Sequence, residues 1–141
     1  MSNNIFDLSG RVAVVTGASS GLGVQMAKAL ARQGADVVIL ARRMEKLEKV
    51  ADEIKKLGVK CLPIRCDVTN TEDVKKAAEI TEKEFGRVDI LVNNAGGGHV
   101  GPTEETTDEQ WNSVIELDLN GVFKVTREFG KLMIKHGYGR I

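Results

Sequence analysis

Residues 11–30 read RVAVVTGASSGLGVQMAKAL, and this stretch decides the fold. Arg11–Thr16 is a short, apolar, β-branched run, the pattern of a strand buried on both faces. Gly21–Gln33 has a helical pattern, with Leu22, Met26 and Leu30 at i, i+4 and i+8 as its apolar face and Gly34 just past its end. Between them lies TGASSGLG, Thr16–Gly23. Gly17 permits a tight turn there, Gly21 lets an anionic group approach the backbone, and Gly23 permits close packing. The start of the helix presents free N–H groups and the positive end of its dipole. Strand, glycine-rich turn and helix together form the first βα unit of a parallel sheet.

The same alternation continues along the chain. Asp36–Leu40 is a second buried strand, and Met44–Leu57 is a charged amphipathic helix with Leu47, Val50, Ile54 and Leu57 on one face, stopped by Gly58. Val59–Arg65 reads as a third strand, which Pro63 places at or near a sheet edge. Asn70 opens a helix, with Asp73 as its capping-box partner, that ends at Phe85 before Gly86. Val88–Val92 is a fourth strand, followed by the flexible loop NNAGGGHVGP. A second capping box, Thr107 with Gln110, opens one long helix to about His136. Four strands separated by helices predict an α/β, Rossmann-type, doubly wound parallel sheet.

Composition narrows the function. Among 141 residues, 20 basic side chains balance 20 acidic ones, so no global field draws the chain to nucleic acid or to a membrane. No apolar run is long enough to span a bilayer, and Met1–Asp7 does not have the pattern of a signal sequence. Cys61 and Cys66 lie five apart on one strand and so point to opposite faces, which argues against an intrachain bridge. Two cysteines without clustered histidine make a poor metal site, so no metal is expected, and a reduced, cytoplasmic protein is.

The glycine-rich turn supports two chemistries. Its spacing, G-x-x-x-G-x-G, differs from the G-x-G-x-x-G dinucleotide fingerprint, although the physics is shared, and a ligand-free turn could carry the same glycines. Gly17–Gly21 is also a literal G-x-S-x-G, the motif of a serine hydrolase's nucleophile elbow, with Asp67 or Asp89 and then His99 or His136 in the required order. Against that reading, the elbow strand would be the first strand, with none upstream to build an oxyanion hole.

Taken with NNAG at Asn93–Gly96, the chain resembles the short-chain dehydrogenase/reductase family. The resemblance runs from about Leu8 to Ile141 and also takes in CDVT (66–69), DILVNNAG (89–96) and WNSVIELDLNGVFKVT (111–126). It implies that Gly17, Ser19, Ser20, Gly21, Leu22 and Gly23 cradle a dinucleotide's diphosphate. Asp67 and Val68 would meet the adenine, and Asn94, Ala95 and Gly96 the nicotinamide-side ribose. Asn93 would tie neighbouring strands together. At the end of the second strand, where an NAD enzyme usually carries an acid, stand Ala41, Arg42 and Arg43. Two guanidinium groups suit a 2′-phosphate, so NADP(H) is favoured, with Arg42 as the main discriminator and NAD(H) as the alternative.

The implied reaction is hydride transfer between the nicotinamide and a carbonyl or alcohol carbon of a small molecule, with a tyrosine as general acid/base, a lysine four residues later and a serine on the substrate oxygen. None of the three is found here: Tyr138 has only three residues after it. Asp118 occupies the place of the family's helix asparagine, and Asn120, two residues on, should face elsewhere. His99 borders the loop where substrate would lie. Trp111, Phe123 and Phe129 suit core or interface anchors, and the resemblance implies a homo-oligomer for a full-length protein. The expectation is one NADP(H)-binding domain over 1–141, incomplete where Arg140-Ile141 starts a fifth strand and without turnover of its own. A faint likeness to gluconate or other sugar-acid dehydrogenases lies in FDLSGRVAVVTGAS. The alternative is a nucleotide-binding module with no catalysis.

Overall fold

In the computed structural model, which describes residues 4–141, strands and helices alternate as expected. Of the opening Met1–Asp7, residues 1–3 lie outside the described part. The elements are β1 (Val12–Thr16), α1 (Gly21–Arg32), β2 (Asp36–Ala41), α2 (Met44–Lys55), β3 (Cys61–Arg65), α3 (Thr71–Phe85), β4 (Ile90–Val92), α4 (Asp108–Ile115) and α5 (Gly121–His136). The strands form one parallel sheet in the order β3-β2-β1-β4, in register at Val14↔Val38, Val38↔Leu62 and Val14↔Leu91. Pro63 sits on the edge strand β3, where its missing N–H leaves no ladder bond unmade.

Each face of the sheet carries its own helix layer. Val14, Val38 and Leu40 pack with Val74 and Ala77 of α3 and with Val125, Phe129 and Leu132 of α5. Val15, Val37 and Ile39 pack on the other side with Ala27 and Ala31 of α1 and with Leu47, Val50 and Ile54 of α2. β1 and β2 are buried on both sides, which is why both read as unbroken apolar runs. The fold is thus the Rossmann-type doubly wound sheet. Cys61 belongs to one core layer and Cys66 to the other, on opposite faces as their spacing predicts. Burial pushes both thiols up to about 12.

Three local expectations are corrected. The face of α1 that meets the sheet is Gly23, Ala27 and Ala31, while Leu22 is 70% exposed and Met26 38%. Both stripes have the same spacing, one residue apart. Closeness decides between them, because a Cβ on Gly23 would overlap the Gly17 carbonyl oxygen and the Asn94 amide. Leu57 likewise lies beyond the end of α2 and is exposed. Asn70 caps α3 by accepting from the N–H groups of Glu72 (2.9 Å) and Asp73 (3.1 Å), but Asp73 does not close a box. Its carboxylate accepts the Asp67 N–H at 3.0 Å instead.

The single helix expected from Thr107 to about His136 is two α-helices joined by a π turn, Glu116–Asn120. The Thr107–Gln110 capping box at its start is complete. Phe129 is fully buried, whereas Trp111 and Phe123 lie mostly in solvent.

The N-terminal edge of the sheet is tied by one carboxylate. Asp89, 1% exposed, accepts from Arg11 Nη1 (2.9 Å), the Val12 N–H (2.9 Å), Arg87 Nε (2.8 Å) and Arg87 Nη2. Arg11 and Arg140 stack on the Tyr138 ring at 4.1 and 4.9 Å. Arg140 bridges to Ile90 in parallel, so the strand step expected at Arg140 is present beside β4.

Candidate functional site

At the opposite, C-terminal edge of the sheet lies a cleft of about 340 Å³. Four sequence-distant stretches line it: Gly17, Ser19 and Ser20 after β1; Leu40–Arg43 at the end of β2; Cys66, Asp67 and Val68 after β3; and Asn94–Gly96 after β4. Ten of the thirteen expected cofactor-binding residues therefore meet at one place. Gly21, Leu22 and Gly23 do not line the cleft.

The turn after β1 behaves as its glycines require. Gly17 and Gly21 hold φ of +65° and +62°, which L side chains rarely adopt. A Cβ on Gly17 would sit 2.8 Å from Ala95 Cα, whereas the space over Gly21 is open. Ser20 is the N-cap of α1 and makes no side-chain capping bond, so the first N–H groups of the helix keep their donors for an anion.

Thr16 holds the two central loops together, and its role was not read from the sequence. Its Oγ1 accepts the N–H groups of Asn94 (3.0 Å) and Ala95 (2.9 Å). Asn94 in turn donates through Nδ2 to the carbonyls of Thr16 (3.0 Å) and Gly17 (3.3 Å), so its side chain builds the cleft wall. Asn93 donates to Thr126 Oγ1 at 3.0 Å, fastening the end of β4 to α5 rather than to a neighbouring strand.

Charge is divided across the cleft. Arg42 and Arg43 are exposed at its β2 corner and enter no salt bridge among the described residues. Asp67 accepts from the Thr69 N–H (3.0 Å) and Oγ1 (2.8 Å). Burial raises its pKa, but those bonds, with Arg42 and Arg65 nearby, outweigh that and hold it below the usual carboxylate value. The corner thus offers free cations for a dianion, and the neighbouring wall a fixed carboxylate acceptor for N–H or O–H groups.

Asp118 reaches the loop after β4, where its Oδ1 accepts the Gly97 N–H at 2.9 Å. Asn120 faces elsewhere, donating to Glu116 Oε2 at 2.5 Å. His99 is an exposed loop residue that does not line the cleft.

The geometry argues against the hydrolase. No non-glycine residue among those described has a positive φ, so Ser19 lacks the strained elbow conformation. Asp89 lies at the far edge of the sheet with its oxygens committed to Arg11, Arg87 and Val12, and neither His99 nor His136 lines the cleft. Free helix N–H groups and two unpaired guanidiniums around one cleft suit an anionic, phosphorylated ligand instead.

Comparison with known proteins agrees with this geometry. The family model described as short chain dehydrogenase matches residues 11–141. Gluconate 5-dehydrogenase of Gluconobacter oxydans is 38% identical over 98% of this chain and 54% of its own length. An actinorhodin polyketide ketoreductase solved with NADPH superposes with a TM-score of 0.89 at 39% identity, covering 93% of this chain and 51% of that one. An NAD+-bound xylitol dehydrogenase superposes with a TM-score of 0.92 at 33% identity, covering 94% and 52%. The chain spans about half the length of the curated relatives it matches.

Proposed function

The chain belongs to the short-chain dehydrogenase family, and from that premise we propose that it is the dinucleotide-binding portion of an NADP(H)-dependent oxidoreductase acting on an alcohol or carbonyl group of a small molecule. The observation that carries the cofactor choice is the β2 corner. Ala41 ends the strand with no acid to accept a ribose 2′-OH, and Arg42 and Arg43 line the cleft beside it. A 2′-phosphate there would gain charge-assisted hydrogen bonds from planar guanidinium forks. When bound, the nicotinamide supplies or accepts a hydride.

The chain's own residues bind and orient. Gly17, Ser19, Ser20 and the first N–H groups of α1 would hold the diphosphate. Gly21 leaves open backbone there, Gly23 brings the helix close, and Leu22 borders the turn from its exposed side. Asp67 and Val68 would hold the adenine end, while Asn94, Ala95 and Gly96 would hold the ribose of the nicotinamide. Asp118 holds Gly97 at that end. Tyr138 lies at the opposite edge of the sheet, with two arginines stacked on its ring, and cannot reach the cleft as a proton donor. These 141 residues should therefore bind cofactor and give no turnover.

A sugar acid is the substrate class favoured by the likeness to gluconate 5-dehydrogenase, with a polyol as the second class through the likeness to xylitol dehydrogenase. The exposed rings of Trp111 and Phe123 support a homo-oligomer, and two free, buried thiols suit a reducing, cytoplasmic setting. Isothermal titration tests the reading. NADPH should bind at least about tenfold more tightly than NADH, a difference of about 1.4 kcal/mol, and Arg42→Ala should abolish that preference. Equal affinities in the wild type would remove the role given to Arg42, and binding of neither would end the cofactor reading.

A further inference from the structure

Resting on that cofactor reading, we propose that Lys124 and the π turn Glu116–Asn120 form a positioning strap that sets the distance between the two side walls of the cleft. Lys124 is a helix lysine whose side chain is only 19% exposed. Its Nζ donates to the Thr69 carbonyl at 2.7 Å and pairs with the Glu116 carboxylate. Thr69 binds the Asp67 carboxylate through both its N–H and its hydroxyl, so Lys124 anchors the wall carrying Asp67 and Val68. Gly121 brings the same helix onto that wall, since a Cβ there would lie 3.0 Å from Val68 Cγ2.

The other wall hangs from the same turn. Asp118 holds the Gly97 N–H, and Gly96 lines the cleft one residue earlier. The turn therefore holds one wall directly through Asp118 and the other through Lys124, which Glu116 pairs with.

The π turn is what allows this. Glu116 and Lys124 are eight residues apart, which in a regular α-helix is a rotation about 80° out of phase. A π turn absorbs one extra residue, leaving the rotation of seven, within about 20° of alignment. Lysine's long stem, pointing back along the helix, covers the rise. Replacing the π turn by regular helix would separate the ion pair and turn Asp118 away from Gly97.

Lys124→Met, which keeps the apolar stem, Lys124→Arg, Glu116→Gln and Asp118→Ala test this in the 141-residue chain. Titration with NADPH and with adenosine 2′,5′-bisphosphate separates the two walls. Lys124→Met should weaken both ligands about tenfold, about 1.4 kcal/mol, and Lys124→Arg should recover most of the loss. Asp118→Ala should weaken NADPH alone. Hydrogen exchange without ligand should quicken at 67–69 in Lys124→Met while β1 and β2 stay protected. Should Lys124→Met fail to fold, Glu116→Gln carries the same expectation. Wild type that binds while these variants bind equally well overturns the strap and leaves the cofactor reading standing. Wild type that binds neither ligand overturns both.

Discussion

Asp89→Asn is the sharpest test of how the sheet is held at its N-terminal edge. The wild-type carboxylate receives four N–H donors in a site 1% exposed. An amide keeps one acceptor oxygen and turns an NH2 group toward the guanidiniums, so at least two donors lose their partner. Removing one member of a buried ion pair costs about 3–5 kcal/mol. Arg11 and Arg87 are 37% and 40% exposed and can turn to water, which favours the lower end, about 3 kcal/mol. At about 4 °C per kcal/mol for a domain of this size, the Tm should fall by roughly 12 °C.

The pH dependence supplies the second half of that test. Burial pushes the Asp89 carboxyl up, but hydrogen bonds from Arg87, Val12 and Arg11 more than compensate and hold it below its ordinary value. A depressed folded pKa means that the contribution is complete above the unfolded carboxylate pKa of about 3.9 and is lost as pH falls through the folded pKa. The stability gap between wild type and variant, measured by urea unfolding followed by circular dichroism, should be full at pH 7 and narrow below about pH 4. A loss under about 0.5 kcal/mol at pH 7, or a gap that does not narrow in acid, would refute the reasoning.

Three further predictions concern the cleft and the core. Thr16→Val removes the acceptor of two N–H groups and should destabilise by about 2–4 kcal/mol while weakening NADPH binding, with Thr16→Ser restoring both in melts and titrations. Gly23→Ala should destabilise by about 1–3 kcal/mol because its Cβ meets the Gly17 carbonyl and the Asn94 amide, whereas Gly130→Ala, with open space around it, should be neutral or stabilising by up to about 1 kcal/mol. Cys61 and Cys66, pushed up to about 12 by burial, should resist a thiol-specific disulfide reagent in the native protein at pH 8 and react fully in denaturant. Fast native labelling would show that the core opens at those strands.

The parts of this molecule governed by local rules could be read from the sequence. β1 and β2 announce themselves by continuous burial, Pro63 by its missing donor, and Thr107 with Gln110 by a capping box that closes on itself. The cleft residues gather because each follows the C-terminal end of a strand, a place set by chain order in a parallel sheet. What escaped was decided by neighbours distant in sequence. Leu22 and Met26 have the right spacing for a core stripe, but the Gly17 carbonyl and Asn94 draw the Gly23 side of α1 inward. Asp73 leaves its own helix cap for the Asp67 N–H. The π turn has no signature in ELDLN, and the reach of Lys124 to Thr69 spans 55 residues of chain. Thr16 reads as one more strand residue until Asn94 and Ala95 are folded against its hydroxyl.

The Asp89 cluster and the ligand cleft sit at opposite ends of the same parallel strands. This separation gives the chain two poles that can change independently. If the β2 corner holds the 2′-phosphate as proposed, substitutions there should shift cofactor preference without drawing on the bonds that close the far edge, while damage to that edge should appear first in melting and only secondarily in binding. A lineage could explore new specificities at one pole for as long as the other stays shut, and an engineer could reinforce Asp89 and its arginines first, then rewrite Ala41–Arg43 on a scaffold with stability to spare.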